Sequence, residues 1–361
     1  MKSRNIGYIP EIDHLRLLAA LLVFGFHFFH FYVGSWLPYP QHPFLGLITE
    51  GHTGVSLFFV LSGFIFMTIA LASDEIRYGS FLRNRILRIA PLFVIVFVVA
   101  VSIGRNRFQA TDLLYLFITN LGDAPTSWHF ATGPAWSISV EFAFYLVFPF
   151  LAAFTRERGV RYLFQAIGLM FIIKLAAYFA AENSRHMLYS TLVGRFDQFL
   201  IGMLAAILYG RMKERLERHG KLLLGLSLLL VFLGAAFQAR WLSYMAPEPK
   251  QPLGVVWGTV EAVLWAGVVI AYLAARPPWP VAIGRLLGKG GEWSFSFYMW
   301  HAMIIYLAHE LLGPLGGTGG LALAFNGAIV LAATLLFSAL SYGTIERPFL
   351  EMRQRYTRSG G

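Results

Sequence analysis

Cysteine is absent from the 361 residues, which excludes disulfides and thiolate metal sites. Charge is thin as well. Asp, Glu, Lys and Arg make up 13% of the chain, about half the share of an ordinary soluble domain. Linkers, low-complexity tracts and clear internal repeats are missing too, so one unit covering 1–361 is expected. In their place stands apolar sequence, with 57% hydrophobic residues and a mean hydropathy of +0.61. It comes in runs of the roughly 20 residues that a helix needs to cross a bilayer. The first run carries no small-residue cleavage site and is long enough to remain in the membrane, so it reads as a span rather than a signal peptide.

Ten spans are predicted, at 12–34, 53–73, 86–104, 135–155, 161–181, 191–210, 221–239, 253–275, 294–314 and 319–345. The expected fold class is all-α: a polytopic integral membrane helical bundle of about ten transmembrane helices. With the amino terminus in the cytoplasm, the segments on that side hold 22 Lys and Arg, and the outer segments hold 5. This bias follows the positive-inside rule, which the inverted topology would break. Both termini are therefore expected in the cytoplasm. The net charge of +10 is absorbed by topology, and a nucleic-acid partner loses its main support. The longest outer loop, 105–134, holds an apolar patch from Leu113 to Thr119 that is expected to re-enter the membrane or lie at its interface. The sequence stops soon after the tenth span, so chemistry is expected inside the bundle.

The stretch 11–33 carries an ionisable stripe on a greasy helix, which is by default a candidate functional feature. Arg16 and His27 are eleven residues apart, about three turns and about 16 Å. Asp13 falls within about 40° of the same line. His27 lies about 10 Å below the outer surface. An imidazole there suits a general base near neutral pH, against the plainer reading of a histidine bonded to a neighbouring helix. His30, one turn further out, is expected at the interface. Glu141, in P-A-W-S-I-S-V-E-F-A-F-Y-L, lies at about the same depth, where a carboxylate needs a partner. Beside His27 it would fix the tautomer and stabilise the protonated ring. Asp197 and Glu261 fall at similar depth, and spacing leaves open which of the three faces His27.

Residues 81–91, F-L-R-N-R-I-L-R-I-A-P, place Arg85 and Arg88 on one helical face with Arg83 nearby at the cytoplasmic mouth. Paired guanidiniums grip phosphates bidentately, although topological anchoring alone also explains basic residues here. The run Arg211 to Lys221 is simply an anchor, and Ser62-Gly63 suits close helix packing. His301, in W-S-F-S-F-Y-M-W-H, comes out about 12 Å from the cytoplasmic face. It either lines a path between the arginines and His27 or is a satisfied bundle residue. No metal site is expected.

These stretches together resemble the membrane acyltransferase-3 family, over essentially the whole chain. Arg16 and His27 match its Arg, ten residues, His signature. E-I-D-H-L-R-L-L-A-A-L-L-V matches its opening block, with His14 where the family commonly has Gly. G-V-S-L-F-F-V-L-S-G-F, F-L-R-N-R-I-L-R-I-A-P, W-S-I-S-V-E-F-A-F-Y-L and S-F-Y-M-W-H match further blocks in order, and Phe142 replaces a second acidic residue beside Glu141. The resemblance implies an O-acyltransferase in a bacterial cytoplasmic (inner) membrane. Its donor would be a cytosolic acyl-CoA, acetyl-CoA first, handled by Arg83, Arg85 and Arg88. His27 would be essential, oriented by Glu141, and Arg16 would neutralise donor phosphate or pair with Asp13.

The implied acceptor is a hydroxyl of a carbohydrate, lipid-linked group or small molecule on the other side. Larger relatives carry a periplasmic hydrolase-like domain. Without it the chain is expected to finish the reaction alone, use such a small or lipid-linked acceptor, or pass the acyl group to a separate periplasmic protein. Two rivals stand beside this reading. A transporter would use His, Glu and Asp as a proton relay, but would commonly show pseudo-symmetry. A structural subunit would show neither turnover nor flux.

Overall fold

The computed structural model describes residues 5–33, 42–116, 124–246, 248, 250–317 and 319–358. Eleven longer helices carry the architecture. They are α1 (Pro10–Tyr32), α2 (Gly54–Leu71), α3 (Tyr78–Ile103), α4 (Trp136–Arg158), α5 (Val160–Ala180), α6 (Ser184–Ser190) and α7 (Leu192–Arg218), followed by α8 (Gly220–Phe237), α9 (Gly254–Ala275), α10 (Val281–Leu312) and α11 (Gly320–Ser341). Among the described residues, nine helical stretches are long and apolar enough to cross a membrane. Helix α10, which corresponds to the ninth expected span, 294–314, is not among the nine. At 32 residues it is about 48 Å long, but buried Ser294, Ser296 and His301 dilute its apolar content. The chain is thus an all-α, multi-pass bundle. Its outer faces carry large apolar side chains, such as Leu321 at 91% and Phe179 at 72% exposure, a surface that suits lipid rather than water.

Local sequence sets the helix ends. Pro10 occupies the first turn of α1, where its missing N–H costs nothing. The Asn183 and Thr191 side chains accept from the backbone N–H of Arg185 and Gly194 and cap α6 and α7. Helix α3 begins eight residues before the expected span, because the basic block continues the helix instead of preceding it.

Helix α2 is the innermost, with 78% of its apolar window buried, whereas α5 and α11 lie outside with 17% each. Glycines set the closest crossings, as is usual where helices associate in lipid. A Cβ on Gly63 would strike the Phe199 carbonyl, and one on Gly202 would strike the Val60 carbonyl, so α2 and α7 touch backbone to backbone. Gly290 and Gly291 play the same part for α10, against Leu17 and Asp13 of α1.

Both ends of the described chain meet at one end of the bundle. Asn5 Oδ1 accepts from the Tyr356 N–H at 3.0 Å and from the Thr357 hydroxyl at 3.2 Å. A two-residue strand, β1 (Glu75–Ile76), pairs antiparallel with β2 (Thr357–Arg358). Asn84 donates to the Gln354 carbonyl and accepts from the Gln354 N–H. The carboxyl-terminal segment is therefore stitched across the mouth of α3. Leu113 and Leu114 of the expected outer patch are exposed, and its residues 117–119 lie outside the described set.

Candidate active site

Helices α1, α2, α3, α4 and α10 enclose a cavity of about 750 Å³, lined by Arg16, Ser62, Arg85, Arg88, Glu141 and Tyr298 among others. A second space of about 660 Å³ opens at the terminal end between Tyr8, Asp13, Asn84, Arg353, Gln354 and Tyr356. Arg16, Phe66 and Arg85 line both, so the two are compartments of one passage.

The arginines differ in how far their charge is already spent. Arg16 Nη1 lies 3.0 Å from Asp13 Oδ1. Arg88 Nη1 lies 3.7 Å from Glu346 Oε2 and sits over the Phe295 ring. Arg85 has no carboxylate partner among the described residues. Its guanidinium is framed by the rings of Phe66, Phe81, Tyr145 and Tyr356, at 4.9 to 5.9 Å from their centroids. Its Nε and the nearby Tyr356 hydroxyl are buried without a hydrogen-bond partner. Buried orphans of this kind need a partner, which water or a ligand supplies, and a guanidinium beside a phenol suits a phosphate. Burial and the Asp13 carboxylate raise the Tyr8 pKa, which keeps another hydroxyl proton at the same mouth.

Arg83 does not join this group. It is exposed and lines neither compartment. Two residues along a helix turn through about 200°, so once α3 extends across the block, Arg83 points away from Arg85.

The imidazole of His27 has a partner, but not the expected one. His301 Nε2 of α10 lies 3.1 Å from His27 Nδ1. His27 Nδ1 is also 2.9 Å from the Val23 carbonyl, and His301 Nδ1 is 2.6 Å from the Tyr298 carbonyl. Carbonyls only accept, so the network assigns a proton to each Nδ1. His301 Nε2 then accepts from His27, and His27 Nε2 becomes the basic nitrogen. His301 is placed level with His27 because α10 starts at Val281 rather than near 294, which adds about four helical turns below it.

Each of the three candidate carboxylates is engaged elsewhere. Glu141 Oε1 accepts from Ser62 at 2.7 Å within the inner cavity instead of meeting His27. Asp197 lies 2.8 Å from Lys174 Nζ, and Glu261 Oε2 accepts from Ser56 and faces Arg195. Depth along a helix is readable from spacing, but the direction a side chain faces depends on packing. His30, expected at the interface, is fully buried, with Nε2 3.0 Å from the Thr49 carbonyl.

Phe58 and Tyr298 both line the inner cavity, and their rings meet edge to face. Tyr298 is tied to Ser137 and to the Pro134 carbonyl. The histidine pair lies one turn beyond, through the Tyr298 carbonyl. Among the described residues no cluster of three or more His, Cys, Asp or Glu could hold a metal ion.

Arg16, Arg85 and Arg88 thus line a passage, and Tyr298 in its wall bonds through its carbonyl to the histidine pair. Residues 9–343 match the family model described as "Acyltransferase domain". The chain belongs to the acyltransferase-3 family. It is similar to "Acyltransferase MdmB" of Streptomyces mycarofaciens, at 27% identity over 96% of this chain and 93% of that protein. It also matches "Putative O-acetyltransferase SACOL0978" of Staphylococcus aureus (strain COL) at 22% identity and "O-acetyltransferase OatA" of Staphylococcus aureus (strain NCTC 8325 / PS 47) at 23%. In both cases 96% of this chain is covered but only 58% of the relative, so the chain spans a little over half of the staphylococcal proteins' length. No solved structure matches.

This acyltransferase-3 chain is therefore an enzyme that transfers acyl groups. Its sequence pointed to His27, Glu141, Arg16, Arg83, Arg85 and Arg88 as catalytic or donor-binding residues; Arg16, Arg85, Arg88 and Glu141 line the passage, whereas His27 and Arg83 do not. It did not point to Asn84, Arg353, Gln354 and Tyr356, which complete the mouth. Arg353, Gln354 and Tyr356 belong to a polar cluster after the last span, and Asn84 lies within the 81–91 block.

Proposed function

We propose that this enzyme is an O-acyltransferase of the cytoplasmic membrane that moves an acetyl group from cytosolic acetyl-CoA to a hydroxyl presented from the opposite side. The whole chain, 1–361, would act as one catalytic unit. The observation that carries the reading is the run of Arg85, Arg16 and Arg88 along a passage whose far wall, Tyr298, holds His301 against His27. The names of the staphylococcal relatives support O-acetyl transfer.

Arg85, with Arg16 and the Tyr356 hydroxyl, would receive the phosphates of the donor at the mouth. The pantetheine arm, comparable in length to a dozen helical residues or about 18 Å, would carry the thioester inward past Glu141. His27 Nε2 takes the proton of the acceptor hydroxyl as its oxygen attacks the thioester carbonyl. The C–S bond breaks, and the thiolate leaves with the proton that His27 gave up. His301 holds the imidazole by accepting from Nδ1 and is a positioning residue. Transfer of the acetyl group first to His27 Nε2 is the covalent variant of the same step. The acceptor is a carbohydrate or related hydroxyl compound.

The test is turnover of labelled acetyl-CoA by the purified protein in detergent. Wild-type protein should release CoA in an acceptor-dependent manner and His27→Ala should not, while both remain folded by size-exclusion chromatography. Equal turnover by the two would defeat the reading.

A further inference from the structure

At the end of the bundle remote from the termini, a separate cavity of about 540 Å³ opens between α6, α7, α9 and the turn after α8. It shares no lining residue with either compartment of the passage. Arg195, Glu261, Gln238 and His52 line it, and each is more than nine-tenths buried. Their mutual bonds are incomplete. Arg195 Nη1 donates to Ser56 at 3.0 Å, and His52 Nε2 lies 3.0 Å from Glu50 Oε2. On the lining residues His52 Nδ1, Glu261 Oε1 and Trp257 Nε1 remain buried without a partner. Unpaired buried polar groups are costly, and three around one cavity mark a place where a ligand's own donors and acceptors would fit.

The chemistry of the wall narrows the ligand. Arg185 and Arg195 are balanced by Glu248 and Glu261, so the cavity offers no net attraction to an anion. Trp257, Tyr189 and Tyr244 supply ring surfaces, the two tyrosines 4.8 Å apart. Aromatic faces beside mixed donors and acceptors suit a neutral ring with C–H faces and several hydroxyls. The cavity also adjoins the reactive pair. The Phe26 ring lies 5.1 Å from His52 on one side and 5.1 Å from His27 on the other.

We propose that this cavity is the acceptor subsite and takes a neutral polyhydroxylated ring of the sugar class, with Trp257 Nε1 and Glu261 Oε1 pairing to its hydroxyls and Gln238 flanking them. The assignment rests on the acyl-transfer reading, with the Phe26 ring beside the edge of the subsite nearest His27.

The experiment measures equilibrium binding of labelled methyl α-D-glucopyranoside, N-acetylglucosamine and myo-inositol to the purified full chain in a non-glycosidic detergent. Trp257→Phe, which keeps the ring but removes the donor, and Gln238→Leu are compared with wild type and His27→Ala. At least one probe should bind the wild type and His27→Ala alike, with about tenfold weaker binding in Trp257→Phe and in Gln238→Leu. Unchanged size-exclusion elution and thermal unfolding of these two variants in detergent show that they are folded. Binding of no probe, or binding indifferent to both substitutions, overturns the subsite. Failure of His27→Ala to lower turnover would sink the transfer chemistry instead, because probe binding does not depend on it.

Discussion

His27 on α1 and His301 on α10 share one hydrogen bond, 3.1 Å long, between Nδ1 and Nε2. The contact exists because Gly290 and Gly291 let the two helices approach at their other ends. If His27 is the base and His301 holds it, the two substitutions will not be additive. His27→Ala should lower kcat by about 10²–10⁴-fold, the usual worth of a general base. His301→Ala should cost on the order of 10²-fold by the same scale, and the double variant should be no worse than His27→Ala. Measured kcat values for the three variants decide it. Independent, multiplying losses would mean that His301 acts elsewhere.

The donor mouth makes an equally sharp distinction between neighbouring arginines. Arg85 lies in a cage of four aromatic rings with an unpaired Nε, while Arg83 is exposed and lines no cavity. Losing a charged hydrogen bond costs about 1.5–3 kcal/mol. Arg85→Ala should therefore raise the KM for acetyl-CoA on the order of 10- to 100-fold and leave kcat near wild type. Lys should rescue it poorly, because a point charge cannot replace the planar fork. Arg83→Ala should leave KM unchanged. Saturation curves for the three variants provide the check.

These two sites also mark how far the sequence was legible. Hydropathy located ten long helices within a few residues at most ends, nine of them long and apolar enough to cross a membrane among the described residues, because the bilayer fixes length and composition. It failed where a polar stretch continues a helix. The block G-K-G-G-E, residues 288–292, precedes the expected span at 294 yet lies inside α10, and its glycines form a helix contact with α1. That single boundary moved His301 from mid-path to the side of His27. Spacing assigned similar depths to Glu141, Asp197 and Glu261, but their partners Ser62, Lys174 and Arg195 depend on which way each helix is turned. Tyr356 joins the site through strand pairing with residues far away in sequence, which no local pattern encodes.

Lys174 and Asp197 form a buried pair joined by Thr259, apart from the passage. A charge left alone in such a place is strongly unfavourable. Lys174→Met should destabilise by about 3–5 kcal/mol, and Lys174→Met with Asp197→Leu should recover most of that loss. Thermal unfolding in detergent, followed by fluorescence, reads both. A double variant as unstable as the single one would show that the pair contributes through packing rather than charge.

The crossing of α2 and α7 has no room for a side chain at Gly63, where a Cβ would strike the Phe199 carbonyl. Backbone cannot yield as a flexible side chain does, so the helices must separate. Overpacking of this kind costs about 1–3 kcal/mol. Gly63→Ala should lower Tm and, because Ser62 next to it holds Glu141, should also reduce turnover. Gly79→Ala is the matched control: a Cβ there meets nothing within 4 Å, and Ala favours the helix by up to about 1 kcal/mol. Its Tm should stay level or rise. If both alanines behaved alike, the crossing would not be set by the glycine, and the position of Glu141 would need another cause.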